Sequence, residues 1–197
     1  APDISGSTTF LYREGLAVSK GGIKGVVVKG VDPQTVQDVN KMKIILPKSQ
    51  TLQQVLVENI INPNIVLGKA LAEKLKVGLN DVLTLMVPRR GEKYEAVELK
   101  VAGFFESGLY DYDQTFALIN INVAQHVFQT NGIEATGIEL KLVDPGLAPK
   151  IAGILEDDLS IDYDVLTWQE LNKDLFEALS LERLVFTIIM GALVVVA

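Results

Sequence analysis

The chain has 197 residues, with 25 acidic and 18 basic side chains, a formal net charge of −7, a single histidine and no cysteine. That length buries a sizeable core as one large or two small domains, which excludes a disordered chain. The acidic balance, without any run of like charge, excludes a nucleic-acid partner. Lack of cysteine excludes disulfides, thiolate zinc sites and cysteine nucleophiles while leaving the compartment open.

The opening "APDISGSTTF" carries no signal-peptide pattern and reads as a mature or trimmed end. Ser7 to Tyr12 is Thr-rich and aromatic, and the β-branched run "IKGVVVKGV" follows the turn-forming "SKGG", so the two predict an antiparallel hairpin. "VDPQ" ends the second strand, because proline restricts the residue before it and donates nothing to a ladder. A short helix is expected around Thr35 to Lys41, and "ENIINPN" reads as a loop.

"NIVLGKALAEKLKVGLNDVLTLMVP" predicts a strand at Ile65 to Leu67, then a helix with Leu71, Ala72 and Leu75 on one face, with Gly78 placed to stop it. A strand with Leu83, Leu85 and Val87 facing one way and Val82, Thr84 and Met86 the other continues through "RRGEK" into "YEAVELKVAGFF". This is a long hairpin with a charged tip. "SGLYDYDQTFALINI" reads as a turn and a strand, and "NVAQHVFQTNG" as a short helix with Val123, Val127 and Phe128 inward. "ATGIELKLVDP" is a strand, "GLAPKIAGILEDDL" an amphipathic helix with Ile151, Ile154 and Leu155 on its face, "IDYDVLT" a strand, and Trp168 onward a long helix. Strand, helix, strand, helix at this spacing is half of a ferredoxin-like split βαβ unit, and the whole is α+β with two subdomains.

Chemistry-bearing groups are sparse. Glu106, Asp111 and Asp113 in "FESGLYDYDQ" form the one carboxylate cluster that resembles an acid/base pair. Against that, strand-like alternation in "DYD" puts both aspartates on one wet face of a polar turn. His126, the only histidine, cannot build a triad or a multi-histidine metal site and reads as a surface or half-buried helix residue. "LGKALA" lacks the earlier glycine and the Ser or Thr of a phosphate loop, "GGIKG" lacks dinucleotide spacing, and no calcium loop fits. No catalytic residue, metal or cofactor is expected.

The last helix differs in kind. Thr167 and Glu170 have capping-box spacing. Trp168, Leu171, Leu175, Ala178 and Leu179 line one side and Glu170, Lys173, Asp174 and Glu177 the other, but beyond Arg183 no charge remains through Ala197. As a helix, that apolar run reaches ~21 Å against the ~30 Å hydrocarbon core of a bilayer. A helix that is amphipathic and then uniformly apolar predicts entry into a membrane, with 184–197 the start of a truncated transmembrane helix; a buried core helix is the alternative.

Taken in order, "VVVKGVDPQ", "IVLGKALAEKLKVGLNDVLTLMVP", "VAGFFESGLYDYDQTFALINI", "GIELKLVDP" and "TWQELNKDLFEALSLERLVFTIIMGALVVVA" resemble the periplasmic region of LolC/LolE-family lipoprotein-releasing ABC transporter permeases. The resemblance spans nearly the whole chain and rests on an ordered set rather than one short motif. It implies a MacB-like periplasmic core domain of the MacB/FtsX class. The ferredoxin-like (Porter-type) subdomain would take residues 1–20 and 134–183, and an inserted, mostly β (Sabre-type) subdomain 21–133. It further implies a four-helix membrane subunit in the bacterial inner membrane with this domain on the periplasmic side. A separate LolD-type ATPase, a second permease subunit, a periplasmic LolA-type carrier and lipoprotein cargo would be its partners.

In that family a hairpin arm hooks the carrier. The matching position here is "MVPRRGEKYEAVE", shorter than that arm and without its prolines and apolar tip. The expected contact residues are Pro88, Arg89, Arg90, Lys93 and Tyr94, and the expected membrane-entry helix carries Trp168, Leu171, Leu175, Leu179 and Arg183. The expectation is a non-enzymatic transporter domain that helps release lipoproteins. The alternatives are a related permease with other cargo, either an efflux pump or a cell-wall hydrolase regulator, and an extracellular hydrolase using Glu106 and Asp113.

Overall fold

The computed structural model describes residues 3–47, 50–89, 93–130, 134–159, 163–173, 181–182 and 185–190. The chain divides into two compact units, Ala1–Lys141 and Leu142–Ala197.

In the first unit the strands are β1 (Ile4–Ser19), β2 (Gly22–Val31), β3 (Lys43–Ile45), β4 (Asn64–Gly68), β5 (Val82–Arg89), β6 (Lys93–Glu106), β7 (Phe116–Asn120) and β8 (Gly137–Leu142). The helices are α1 (Val36–Val39), α2 (Leu52–Val55), α3 (Lys69–Leu75), α4 (Tyr110–Asp113) and α5 (Ile121–Val127). The expected hairpin is present as β1–β2, antiparallel from Phe10↔Val31 to Ser19↔Gly22. Its first strand is longer than the Ser7–Tyr12 core read from sequence, because β1 serves other partners as well.

The sheet runs β2-β7-β4-β6-β5-β1-β8, and β1 also pairs with β2. Six strands therefore close into a ring in which every strand has a neighbour on each side over part of its length, while the first half of β6 runs beyond its pairing with β4. β2–β7 and β4–β6 are parallel pairs, while β4–β7 and β5–β6 are antiparallel.

Because β4 and β7 run in opposite directions, the helices that follow each of them directly lie at opposite ends of the ring. At one end α3 sends Leu71, Ala72 and Leu75 into the core, and its last carbonyl, Leu75 O, accepts from Gly21 N–H at 2.9 Å and Ser19 Oγ at 2.5 Å in the β1–β2 turn. At the other, α5 contributes Val123, Ala124 and Val127 beside Leu11, Val28 and Ile119. A Cβ on Gly30 would press against Ala124, so this β2 glycine is the space that lets α5 in.

Strands β4 and β7 are buried on both faces. Ile65, Leu67, Ala117 and Ile119 join the ring interior, while Val66 and Leu118 join a second cluster with Val31, Val36, Leu52, Val55, Leu56 and Phe105. This explains why "NIVLG" and "FALIN" are continuous apolar runs rather than alternating ones. In β5 the two expected faces separate: Leu83, Leu85 and Val87 are buried and Val82 is exposed.

Local details correct three expectations. Helix α3 ends on Lys76, which takes a left-handed conformation at φ 52°, and Gly78 lies beyond the cap with its N–H donated to the Asp81 side chain. Segment "DYD" is the one-turn helix α4, so the residues two apart separate: Asp111 is exposed and Asp113 buried. Residues 163–167, within the expected "IDYDVLT" strand, are not extended into one; 160–162 lie outside the described residues.

The second unit contains a short 3₁₀ turn at Pro145–Leu147 capped by Asp144, helix α6 (Ala148–Asp158) and helix α7 (Trp168–Leu171). On α6 Ile151 is buried and Leu155 half-buried, but Ile154 of the expected face is exposed. The capping box is formed as expected: Thr167 accepts from Glu170 N–H, and the Glu170 side chain returns to Thr167 N–H. These bonds hold the Glu170 carboxyl below its ordinary range.

Candidate functional site

The hairpin predicted as a contact arm is built by β5 and β6, in register from Val82↔Lys100 to Arg89↔Lys93. Pro88 is opposite Tyr94. Residues two apart on the strand repeat the same bonding direction, and Pro88 shares its phase with positions whose N–H points away from β6, so the ladder loses no bond. Lys93 and Tyr94 are exposed, Tyr94 by 55%. Arg89 is in the strand, and Arg90 lies outside the described residues. The arm thus offers the Tyr94 ring and Lys93 near its distal end.

In the predicted membrane-entry helix, Trp168 and Leu171 are exposed, by 45% and 67%, and Trp168 Nε1 donates to Pro145 O at 3.3 Å. Residues 185–190 are helical, with Phe186, Ile188 and Met190 exposed. Leu175, Leu179 and Arg183 lie outside the described residues. Among the described residues no helix is long and apolar enough to cross a membrane.

The carboxylates do not converge on a reaction centre. Glu106 takes Lys69 Nζ at 2.6 Å and Lys43 Nζ at 2.9 Å. These two bonds bring its carboxyl from the ordinary 4.5 down to about 2 and raise the ammonium of Lys69. A carboxyl held ionised in this way cannot donate a proton near neutral pH. Asp113 Oδ1 is occupied by Ser107 N–H at 2.8 Å and Asp111 Oδ1 by the Gln114 side chain at 2.7 Å. His126 is exposed in the last turn of α5. Among the described residues no group of histidine and carboxylate side chains is placed to hold a metal.

The lowered carboxyl carries a pH expectation. Since the folded value lies below the ordinary one, the Glu106 pairs add stability above about pH 4.5 and lose it as pH falls towards about 2. Carboxyl NMR of Glu106 is expected to show a midpoint near 2, moving upward in Lys43→Gln/Lys69→Gln; a midpoint unchanged by the double substitution would show that the pairs do not form in solution.

Sequence reasoning missed the most buried charge among the described residues. Lys29 on β2 is 2% exposed, its Nζ bonded to Glu139 Oε1 of β8 at 2.5 Å and flanked by the rings of Phe10 and Tyr12 at 5.2 and 5.3 Å. Glu139 Oε2 accepts from Asn40 Nδ2 at 2.6 Å. Beside it Tyr112 stacks on Phe116 at 3.9 Å, and burial pushes the Tyr112 phenol well up. The available signal was a lysine inside "GVVVKGV", where every other long side chain is apolar.

A mixed strand ring with short helices at both ends and a long hairpin makes up the first unit, and helices the second. The crystal structure of the extracellular domain of the noncanonic ABC-type transporter YknZ from Gram-positive bacteria matches with a TM-score of 0.53 and 16% identity, over 79% of this chain and 76% of that one. The periplasmic region of MacB from Actinobacillus actinomycetemcomitans matches with a TM-score of 0.50 and 14% identity, over 80% and 68%. The fold is thus MacB-like.

Sequence relatives are more particular. The lipoprotein-releasing system transmembrane protein LolC of Neisseria meningitidis is 26% identical over 98% of this chain and 47% of its own length. The protein of the same name from Xylella fastidiosa is 28% identical over 78% of this chain and 40% of its own. The chain is a homologue of the LolC proteins and spans about half the length of the curated relatives it matches. No family model matches it.

Proposed function

We propose that the chain is the periplasmic domain of an inner-membrane ABC transporter permease that couples ATP hydrolysis on a separate LolD-type subunit to release of lipoproteins and their handover to a LolA-type carrier. The observation that carries this reading is the similarity to LolC running over 98% of the chain, set on a MacB-like fold. The neighbours with known structure share only the fold, so the sequence relationship is what favours lipoprotein over other cargo.

Trp168 to Ala197 leads towards the membrane and a second permease subunit. The mechanism is rigid-body: a closed strand ring deforms little, so motion delivered through the membrane helices is passed to the hairpin arm as displacement rather than dissipated in the domain. Pro88, Arg89, Arg90, Lys93 and Tyr94 meet the carrier.

Saturable binding of the purified chain to the LolA-type carrier of the same organism is the test. Reversing Arg89→Glu and Arg90→Glu is expected to weaken it at least fivefold, more strongly at low salt, because exposed charge pairs are screened. Binding that is indifferent to the reversal would remove the arm from the contact.

A further inference from the structure

The hairpin arm has a second surface, set by where β4 begins. Strand β4 pairs with β6 only from Asn64↔Lys100 onward, whereas β6 starts at Lys93. Over Lys93–Leu99, β6 has β5 on one side and, among the described residues, no strand on the other. That side forms a groove of about 510 Å³. Its walls are Glu95 to Glu98 of β6, Ile60 to Pro63 of the loop entering β4, and Gln125 to Val127 with Gln129 and Thr130 around the end of α5.

Backbone bonds fix which groups face the groove. Val101 N–H donates to Asp81 O and Val101 O accepts from Asn80 N–H, both on the β5 side. Lys100 N–H donates instead to Pro63 O, on the β4 side, at 2.9 Å. Strand bonding alternates with a period of two and the β5–β6 register is unbroken, so Ala96 and Glu98, in phase with Lys100, direct their N–H and C=O groups into the groove. The groove is therefore a slot with a strand edge for one wall. Exposed Ile60 (43%) and Ile61 (88%) stand beside that edge.

We propose that this slot admits an extended polypeptide segment that adds to β6 as a strand and presents a basic side chain to Glu98. Main-chain bonds to Ala96 and Glu98 supply affinity, alternate apolar side chains lie against Ile60 and Ile61, and opposite charge at Glu98 supplies selection. The groove lining contains two glutamates and neither lysine nor arginine, while Lys93 and Lys100 stand on β6 just beyond its two ends. Charges along an open edge also keep copies of the same chain from pairing, so Glu98 sets which foreign strand is admitted, while Glu95, on the other face of β6, accepts from Gln129 Nε2 at 3.5 Å. This surface does not depend on the transport reading.

The test titrates the full chain, ¹⁵N-labelled, with the peptide Thr-Val-Lys-Val-Arg-Val, its acidic twin Thr-Val-Glu-Val-Asp-Val, and laurate. Saturable shifts at Ala96 to Glu98 and Gln125 to Val127 are expected with the basic peptide only. Ala96→Pro removes a groove-facing N–H without touching the β5 ladder, so the chain is expected to fold with an unchanged melting temperature and to lose binding at least tenfold. Glu98→Lys is expected to weaken the basic peptide at least fivefold and to admit the acidic one. Equal binding of both peptides, binding of laurate alone, absence of saturable binding, or a dimer that Ala96→Pro dissolves would each overturn the proposal, the last by placing a second copy of this chain on the edge.

Discussion

Replacing Glu139 by alanine is expected to destabilise the chain by about 3 kcal/mol or more, whereas Lys29→Met costs about 1 kcal/mol or less. Asymmetry follows from where the two charges sit: Lys29 is 2% exposed and its partner's side chain 27%. Without Glu139 an ammonium remains buried against Phe10 and Tyr12, whose rings repay only part of its lost hydration. Without Lys29, the glutamate keeps its bond from Asn40 and its access to water, and methionine refills the space between the rings. The double substitution is accordingly expected to be more stable than Glu139→Ala alone. Urea unfolding of the four proteins reads these differences. A loss below about 1 kcal/mol for Glu139→Ala would mean that the Lys29 ammonium reaches solvent, contradicting the buried pair.

Gly68→Ala is the second large effect, expected at about 3 kcal/mol or outright loss of the folded chain. Its φ of −58° is one any residue adopts, so the requirement is space, not conformation. A Cβ at this corner between β4 and α3 would overlap the main chain of Asp113, including its carbonyl oxygen. Main chain cannot rotate aside as a side chain can. Relief would need α4 to withdraw, taking Asp113 from its burial and its bond to Ser107 N–H. Gly25→Ala is the control: a Cβ there meets nothing within 4 Å, and its expected effect is neutral to about 1 kcal/mol stabilising. Equal melting temperatures for the two variants would show that the close approach at Gly68 does not exist.

How far such features could be read from sequence depended on their range. The β1–β2 and β5–β6 hairpins, helix α3 after a short strand, and the Thr167–Glu170 cap were legible because each is decided by neighbours a few residues apart. Closure of the ring was not. It rests on parallel pairs such as Val28↔Ala117 and Val66↔Gly103, whose partners are distant in the chain.

Short-range reasoning also failed where two local solutions compete. Lys76 took the left-handed cap that Gly78 was better suited for, since Val77 N–H already returns to Ala72 O and closes the helix early. In "DYD" the strand period put both aspartates in water, but one helical turn brings Asp113 round beneath β4. Of the candidate sites, the hairpin was legible as a charged interruption between two alternating runs. Neither the buried Lys29 nor the open edge of β6 was, because both depend on which strand arrives alongside.

Membrane fractionation of cells depleted of the full-length protein tests the transport reading most directly. Acylated lipoproteins normally destined for the outer membrane are expected to accumulate in the inner membrane, and re-expression of the wild-type protein is expected to restore their distribution. An unchanged distribution on full depletion would contradict lipoprotein release and leave a MacB-like permease domain acting on other cargo.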